Sequence, residues 1–331
     1  MIAYHLHFST PLHIGIEAIG QEKIEHQVRS DTLFGAIIAC WLMLFEDDPD
    51  SLCQEPPFEI SSCFPLIKGK RFYPVPIGSL DSLMDEAANR PAGQEPTVKT
   101  IKKIKFIEES FFQKICNGGK LQLDDLNPSL VFPFEIHENY NIRVLRYSSE
   151  HQRPRIRTDQ ASGGVGENSF FYCSDQFFHK GSGQFFLAKF KDEEAKKRFE
   201  AALLLLGDTG IGADRSVGRG LFKYSIHTIN LSEDNGSGVV LMSLCLPSEK
   251  DVKSGLLSHP QSSYNLVRRF GRAGTYSVNR YRRPDCWMLS EGSIFTFAPE
   301  GKIVSLIKKN HEISHNVYRY GKAFCLPFSA S

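Results

Sequence analysis

The eight cysteines of this 331-residue chain, Cys40, Cys53, Cys63, Cys116, Cys173, Cys245, Cys286 and Cys325, include no CxxC pair. That spacing excludes a zinc ribbon and a dithiol redox motif, and it points to free thiols in a reducing cytoplasm. Long apolar runs are also missing. The longest, Leu33 to Phe45, falls short of the roughly 20 residues a membrane span needs and reads as a buried helix, so no membrane partner is expected. The N-terminus lacks the basic-then-apolar pattern of a signal peptide. No glycine run ends in Gly-Lys-Ser/Thr, and Gly210-x-Gly212 is followed by Arg215 where a dinucleotide fingerprint needs glycine. A P-loop nucleotidase and a dehydrogenase are thereby disfavoured. His311 and His315 lack a completing ligand pair, so neither a metal nor another cofactor is expected. Net charge of one sign is missing too, at only +1, yet Tyr264 to Arg283 holds six arginines and no acid.

What is present is ordinary globular composition, 41% hydrophobic and 23% charged, over a length that suits two domains. The central stretch is Leu206 to Phe222, LGDTGIGADRSVGRGLF. Gly210, Gly212, Gly218 and Gly220, with Ser216, let the backbone lie close to a ligand, and Arg215 and Arg219 add forked donors. It reads as a phosphate cradle; the alternative is a tight solvated connection. Before it, Asp192 caps a helix whose apolar stripe is Ala195, Phe199, Ala202, Leu203 and Leu206, with Gly207 expected in the left-handed position past its end. After it, Leu221 to Ile229 alternates as a strand. The order helix, glycine loop, strand is the reverse of the common phosphate loops.

Elsewhere, Ile2, Tyr4, Leu6 and Phe8 alternate as a first strand with one buried face. Ser30 or Asp31 is expected to cap the Leu33 helix, placing Arg29, Ser30, Asp31 and Thr32 at a helix start that suits an anion; a plain capping loop is the alternative. Asp47 to Glu59 reads as a surface loop, Phe64 to Ile77 as a hairpin turning near Gly69, Asp81 to Glu95 as irregular, and Phe106 to Ile115 as an amphipathic helix. Asn141 to Asn168 places Arg143, Arg146, Arg153, Arg155 and Arg157 before a Ser/Gly-rich tip, as a protruding basic hairpin or a mobile linker. Phe185 to Phe190 is a strand. These elements give the β-α-β-β-α-β order of a ferredoxin-like domain over 1–232 with long insertions. Asp234 to Gly238 reads as a linker to a second, strand-rich unit over 239–331. There Arg268, Arg269 and Arg272 interleave with Phe270 and Tyr276, a pattern suited to single-stranded RNA. Gly301 to Val317 reads as a loop and Val317 to Ala323 as the last strand.

Pro11-Leu12-His13-Ile14-Gly15, Ser30 to Phe34, the Gly207 to Phe222 loop, Arg272-Ala273-Gly274 and Val317 to Leu326 occur together in this order. In this combination the chain resembles the fourth-subunit family of the Csm effector complexes of type III-A CRISPR systems, within the RAMP superfamily. The resemblance implies an α+β fold of two ferredoxin-like, RRM-like domains with inserted loops and a β-hairpin thumb, carried here onto Ser149 to Asn168. It also implies a non-catalytic subunit that holds the 5′ repeat tag of the CRISPR RNA, facing it with Arg29 to Thr32 and the glycine loop. Its expected partners are the large polymerase/nuclease subunit and the backbone RAMP subunit. The alternative is a RAMP-type endoribonuclease processing precursor RNA, using a histidine such as His5, His7, His13 or His26. Against it, His5 and His7 are expected on the polar face of an outer strand, and His13 beside a turn.

Overall fold

The structure, a computed structural model, describes residues 1–16, 23–91, 94–138, 141–158, 164–230, 237–271, 282–310 and 315–329, excepting the side chains of 136–138, 141–144, 157 and 165–169. The first unit begins with β1 (Ile2–Phe8), α1 (Ser30–Leu44), α2 (Pro49–Gln54), β2 (Phe58–Ile60) and β3 (Phe64–Ile67). An insertion follows, made of β4 (Lys70–Pro74), α3 (Asp81–Ala88), α4 (Val98–Lys102), β5 (Phe106–Glu108), α5 (Glu109–Cys116), β6 (Val131–Phe132), β7 (Glu135–Glu138) and β8 (Asn141–Val144). A long hairpin of β9 (Ser148–Thr158) and β10 (Val165–Phe178) then leads to β11 (Ser182–Phe190), α6 (Glu193–Thr209) and β12 (Phe222–Thr228).

The main sheet runs β12-β1-β11-β3-β4-β5-β6, with β2 also paired to β11. Its first four strands, joined through α1 and α6, have the antiparallel 4-1-3-2 order of a ferredoxin-like domain, and the insertion extends the sheet beyond β3. The second unit carries β13 (Gly238–Leu241), α7 (Glu249–Lys253), β14 (Leu266–Arg269), β15 (Cys286–Leu289), β16 (Ile294–Phe295), β17 (Val304–Ile307), β18 (Val317–Arg319) and β19 (Cys325–Phe328). Its sheet has the order β16-β13-β19, and β14 pairs with β15.

Both faces of the main sheet are covered. Tyr4, Leu6 and Phe186 pack against Phe199, Leu203 and Leu206 of α6 and Ile37 and Trp41 of α1. On the other face Ala3, Phe185 and Leu187 share a core with Val240, Met242, Leu326 and Phe328 of the second unit. The two units therefore exclude water from one common apolar layer.

Several local expectations change in this context. Strand β1 is central rather than outer, so His5 is buried, at 5% exposure, while His7 stays exposed. Helix α1 begins at Ser30 with no side-chain cap. Ser30 is drawn into tertiary bonds instead, its amide donating to Ser62 Oγ at 2.9 Å and its Oγ accepting from the Leu244 amide at 3.0 Å. Within the expected Asp47–Glu59 loop, Asp48 caps α2 by accepting from the Ser51 amide at 2.8 Å, with Pro49 opening the helix. Part of Asp81–Glu95 is helical because Leu83 and Ala87 find the core. The Phe106–Ile115 segment divides into β5 and α5, Gly301–Val317 contains β17, and β19 follows β18 as the last strand. Asp192 does cap α6, but the positive-φ residue at its end is Gly210. Gly207 lies inside the helix, where a Cβ would stand 2.5 Å from the Phe222 carbonyl oxygen; there glycine allows close approach of β12.

A buried ion cluster ties the units together where α1 begins. Arg269 of β14 forks over Asp31, with Nη2 at 2.9 Å and Nε at 3.1 Å, and its Nη1 reaches Glu25 at 2.8 Å. Arg319 of β18 donates to Asp31 at 2.9 Å, while Arg29 joins Glu25 at 2.6 Å to Glu291. Burial alone would raise the Asp31 carboxyl, but Arg269, Arg319 and Arg283 hold it below the ordinary carboxylate range.

Two expectations can be measured. Asp31→Asn leaves two buried guanidinium groups short of counter-charge and should lower unfolding free energy by about 3 to 5 kcal/mol; an unchanged urea midpoint would show that this pairing holds nothing together. Burial first, then His227, Arg71 and His7, push His5 down to about 3. An unfolded histidine titrates near 6.5, so the unfolded chain binds a proton that the folded one refuses. Stability from this site should be full above about pH 6.5 and fall as pH drops towards 3. Thermal melts of His5→Gln should show a shallower acid-side slope than the wild type; parallel profiles would remove His5 as the cause.

Candidate nucleic-acid interface

The glycine loop is laced to the segment after β1. The amides of Ala213 and Gly220 donate to the carbonyls of His13 (2.9 Å) and Pro11 (2.8 Å), and the Ile211 amide donates to Gly220 (3.0 Å). Gly210 and Gly212 pass close to the Arg219 and His13 carbonyls, and Gly220 is held at φ +72° with its Cβ position 2.0 Å from the Ile211 carbonyl oxygen. No L side chain fits there. Most loop amides are thus consumed inside the protein. The accessible tip is the turn from Ala213 to Val217, where Arg215, Ser216 and Val217 are exposed, closed by Gly218 in the left-handed region.

The hairpin β9/β10 stands directly on this loop. Arg155 pairs with Asp214, itself left-handed at φ +59°, and Cys173 Sγ approaches the same carboxylate at 3.8 Å. Arg219 Nη2 lies 2.8 Å from Asp175, and Arg153 stands 4.0 Å from that carboxylate. Asp175 Oδ1 and Oδ2 and Arg219 Nε have no well-directed hydrogen bond, so this contact is electrostatic more than directional. His13 Nδ1 is 2.6 Å from the Ser174 carbonyl and therefore carries the proton. Ligand atoms of His13, Cys173 and Asp175 lie within 4.8 Å of one another, but Arg219 already stands against that carboxylate; the cluster reads as the joint of the hairpin base.

Cross-strand register divides the hairpin into two faces. Arg153 and Arg155, opposite Cys173 and Phe171, look towards the loop. Pro154 and Ile156, opposite Tyr172 and Phe170, make the other face, where Ile156 is 57%, Phe170 55% and Tyr172 40% exposed. The Phe170 and Tyr172 rings meet edge to face at 5.1 Å. An exposed aromatic pair beside a guanidinium row can receive stacked bases on one side and phosphates on the other.

The sequence-predicted residues thus separate into groups. Arg153, Arg155, Arg215, Ser216 and Gly218 converge at the loop and hairpin, and Gly210, Gly212, Gly220 and Arg219 support them from beneath. Arg29, Ser30, Asp31, Thr32 and Arg269 belong to the joint between the units; Arg269 also reaches Thr32 Oγ1 at 3.2 Å. Arg268 is half exposed and paired to Asp285. Arg272 and Tyr276 lie outside the described residues, as do Arg280, Tyr281, His311, the hairpin tip 159–163 and residues 234–236 of the linker; the Arg157 side chain is likewise undescribed. Sequence reasoning missed Asp175, Asp214 and Arg319. Only Arg319 left a signal, as a lone charge between the apolar neighbours of Val317 to Tyr320.

Four histidines had been candidates for RNA cleavage. His5 is held neutral by burial, His13 is buried against Ser174, and His26 pairs with Glu150 at 3.4 Å. Exposed His7 and His227 share Ser225 Oγ at 3.5 and 3.1 Å. No helix among the described residues is long and apolar enough to cross a membrane, and all eight cysteines are free thiols.

Comparison with known proteins gives these elements a context. Residues 5–223 match the family model of the RAMP superfamily, and residues 234–328 match that of the CRISPR Csm4 C-terminal domain. Csm4 of Thermococcus onnurineus (strain NA1) is 26% identical over 323 residues, covering 96% of each chain. Csm4 of Methanocaldococcus jannaschii is 27% identical over 165 residues, covering 42% of each. Among solved structures, a Csm1–Csm4 cassette in complex with cA4 superposes with a TM-score of 0.63 at 19% identity, over 100% of this chain and 98% of the other. A Csm3–Csm4 subcomplex of a type III-A CRISPR-Cas interference complex gives 0.60 at 18% identity, over 99% and 100%. At that identity the superpositions speak for the fold, and the family assignment comes from the match over residues 5–223. The chain belongs to the RAMP superfamily, and its C-terminal part is similar to the Csm4 C-terminal domain.

Proposed function

We propose that this chain is a non-catalytic, RNA-binding subunit of a type III-A CRISPR effector complex. It holds the repeat-derived 5′ tag of the CRISPR RNA and bridges the large polymerase/nuclease subunit to the backbone RAMP subunit. The partners follow from the relatives, whose solved assemblies pair Csm4 with Csm1 and with Csm3. The observation that carries the RNA reading is the meeting of Arg153 and Arg155 with the exposed Arg215–Ser216 tip, fastened through Asp214. Guanidinium groups grip phosphates in forked geometry, and the Phe170–Tyr172 face offers bases a stacking surface across the same hairpin. The hairpin is the thumb that bends the RNA where tag meets guide.

Arg153 and Arg215 are the informative pair, because neither is fully committed to an internal partner. Reversing both charges (Arg153→Glu with Arg215→Glu) should leave the melting temperature near the wild-type value. Copurified guide RNA should fall by on the order of a hundred-fold, and the remaining binding should depend less steeply on salt. Full retention of an RNA with a uniform 5′ end by the double variant would sink the proposal. Specific cleavage of repeat RNA by the isolated chain would instead favour the endoribonuclease.

A further inference from the structure

Among the described residues, the joint around Asp31 contains more positive charge than its acids neutralise. Arg29, Arg269, Arg283 and Arg319 gather about Glu25, Asp31 and Glu291, four guanidinium groups to three carboxylates. Arg29 lies between Glu25 and Glu291, Arg269 spans Asp31 and Glu25, and Arg319 takes the remaining approach to Asp31. Arg283 pairs with no carboxylate among the described residues. Three guanidinium nitrogens here, Arg283 Nε and Arg319 Nε and Nη2, are buried without a hydrogen-bond partner, although the Arg319 side chain is only 1% exposed.

Such donors cost stability when nothing accepts from them, and an unpaired buried cation costs more than an unpaired neutral group. Burial and then Arg319 push the Arg283 guanidinium down from its ordinary value, with Arg269 adding to the repulsion and Asp31 opposing it. The surplus stands beside the first turn of the 15-residue α1, whose backbone dipole also favours negative charge. Its surroundings continue the same sign. Arg282 is 71% and Arg268 53% exposed, and both rely on the single carboxylate of Asp285.

We propose that Arg283 and Arg319 form a phosphate site that receives a backbone phosphate of single-stranded RNA. The assignment rests on the RNA-binding reading above and extends it to the second unit. Half-buried Arg283 meets the phosphate first, and the unpartnered nitrogens of Arg319 behind it supply the next donors. A polyanion is favoured over a lone ion because Arg268 and Arg282 extend the positive strip beyond the site. The bound phosphate supplies the charge the joint lacks, so binding stabilises the fold by linkage.

The test compares the full-length wild type with Arg283→Gln. Without RNA or oxyanion, the variant should melt higher, since it loses an uncompensated cation. Inorganic phosphate, exchanged for chloride at constant ionic strength, should raise the wild-type melting temperature and leave the variant unmoved. Affinity for a short single-stranded RNA should fall about ten-fold in the variant, with the salt slope reduced by about 0.7. A variant that melts lower without phosphate would mean that Arg283 is an internal structural partner, against the proposal. A phosphate-dependent melting shift with unchanged RNA affinity and slope would assign the site to a free anion and overturn the RNA assignment. If wild-type RNA binding is lost on reversing Arg153 and Arg215 yet untouched by Arg283→Gln, this site fails and the broader reading stands. If the wild type binds no RNA, the broader reading fails, and the RNA assignment of this site falls with it.

Discussion

A single carboxylate, Asp31, fixes how the halves of this molecule meet. It is buried at the start of α1, and the guanidinium groups that reach it come from β14 and β18 of the second unit. The apolar layer between the units gives adhesion without direction, whereas a forked Arg269–Asp31 pair has one geometry. Register between the ferredoxin-like sheet and the second unit is therefore set by charge, and the burial of Asp31 and Arg319 keeps that charge interaction strong.

The periodic parts of the fold were legible in the sequence. The stripe from Ala195 to Leu206 forms α6, the alternation around Tyr4 and Leu6 forms β1, and the arginine-rich segment before the Ser/Gly tip forms one strand of a hairpin. These features rest on local spacing. Partnership was not legible, because a charged residue gives no indication of its counter-charge. Arg219 and Arg215 look alike in sequence, yet one is folded against Asp175 and the other faces solvent. His5 looked like a polar-face residue until a strand closed on each side of it. The glycine loop reads in the sequence as a backbone cradle for phosphates, but many of its amides are taken by carbonyls within the protein, among them those of Pro11, His13 and Gly220.

The two arginine-bearing regions differ in kind. At the hairpin and loop, charge is exposed and loosely paired, as suits a surface that meets a polyanion from water. At the joint, charge is buried and mostly paired, and its surplus is held in a fixed frame. A ligand contacting both would be gripped by an adaptable region and a rigid one, and the rigid one would dominate its position. A cleft of about 1100 Å³, lined by Lys189, Asp192 and Leu326 among others, includes none of these residues.

The apolar face of the β9/β10 hairpin has a consequence for the life of the free chain. Ile156, Phe170 and Tyr172 present greasy surface to water on one face of the hairpin. Left uncovered at high concentration, such a face favours association between copies of the free chain.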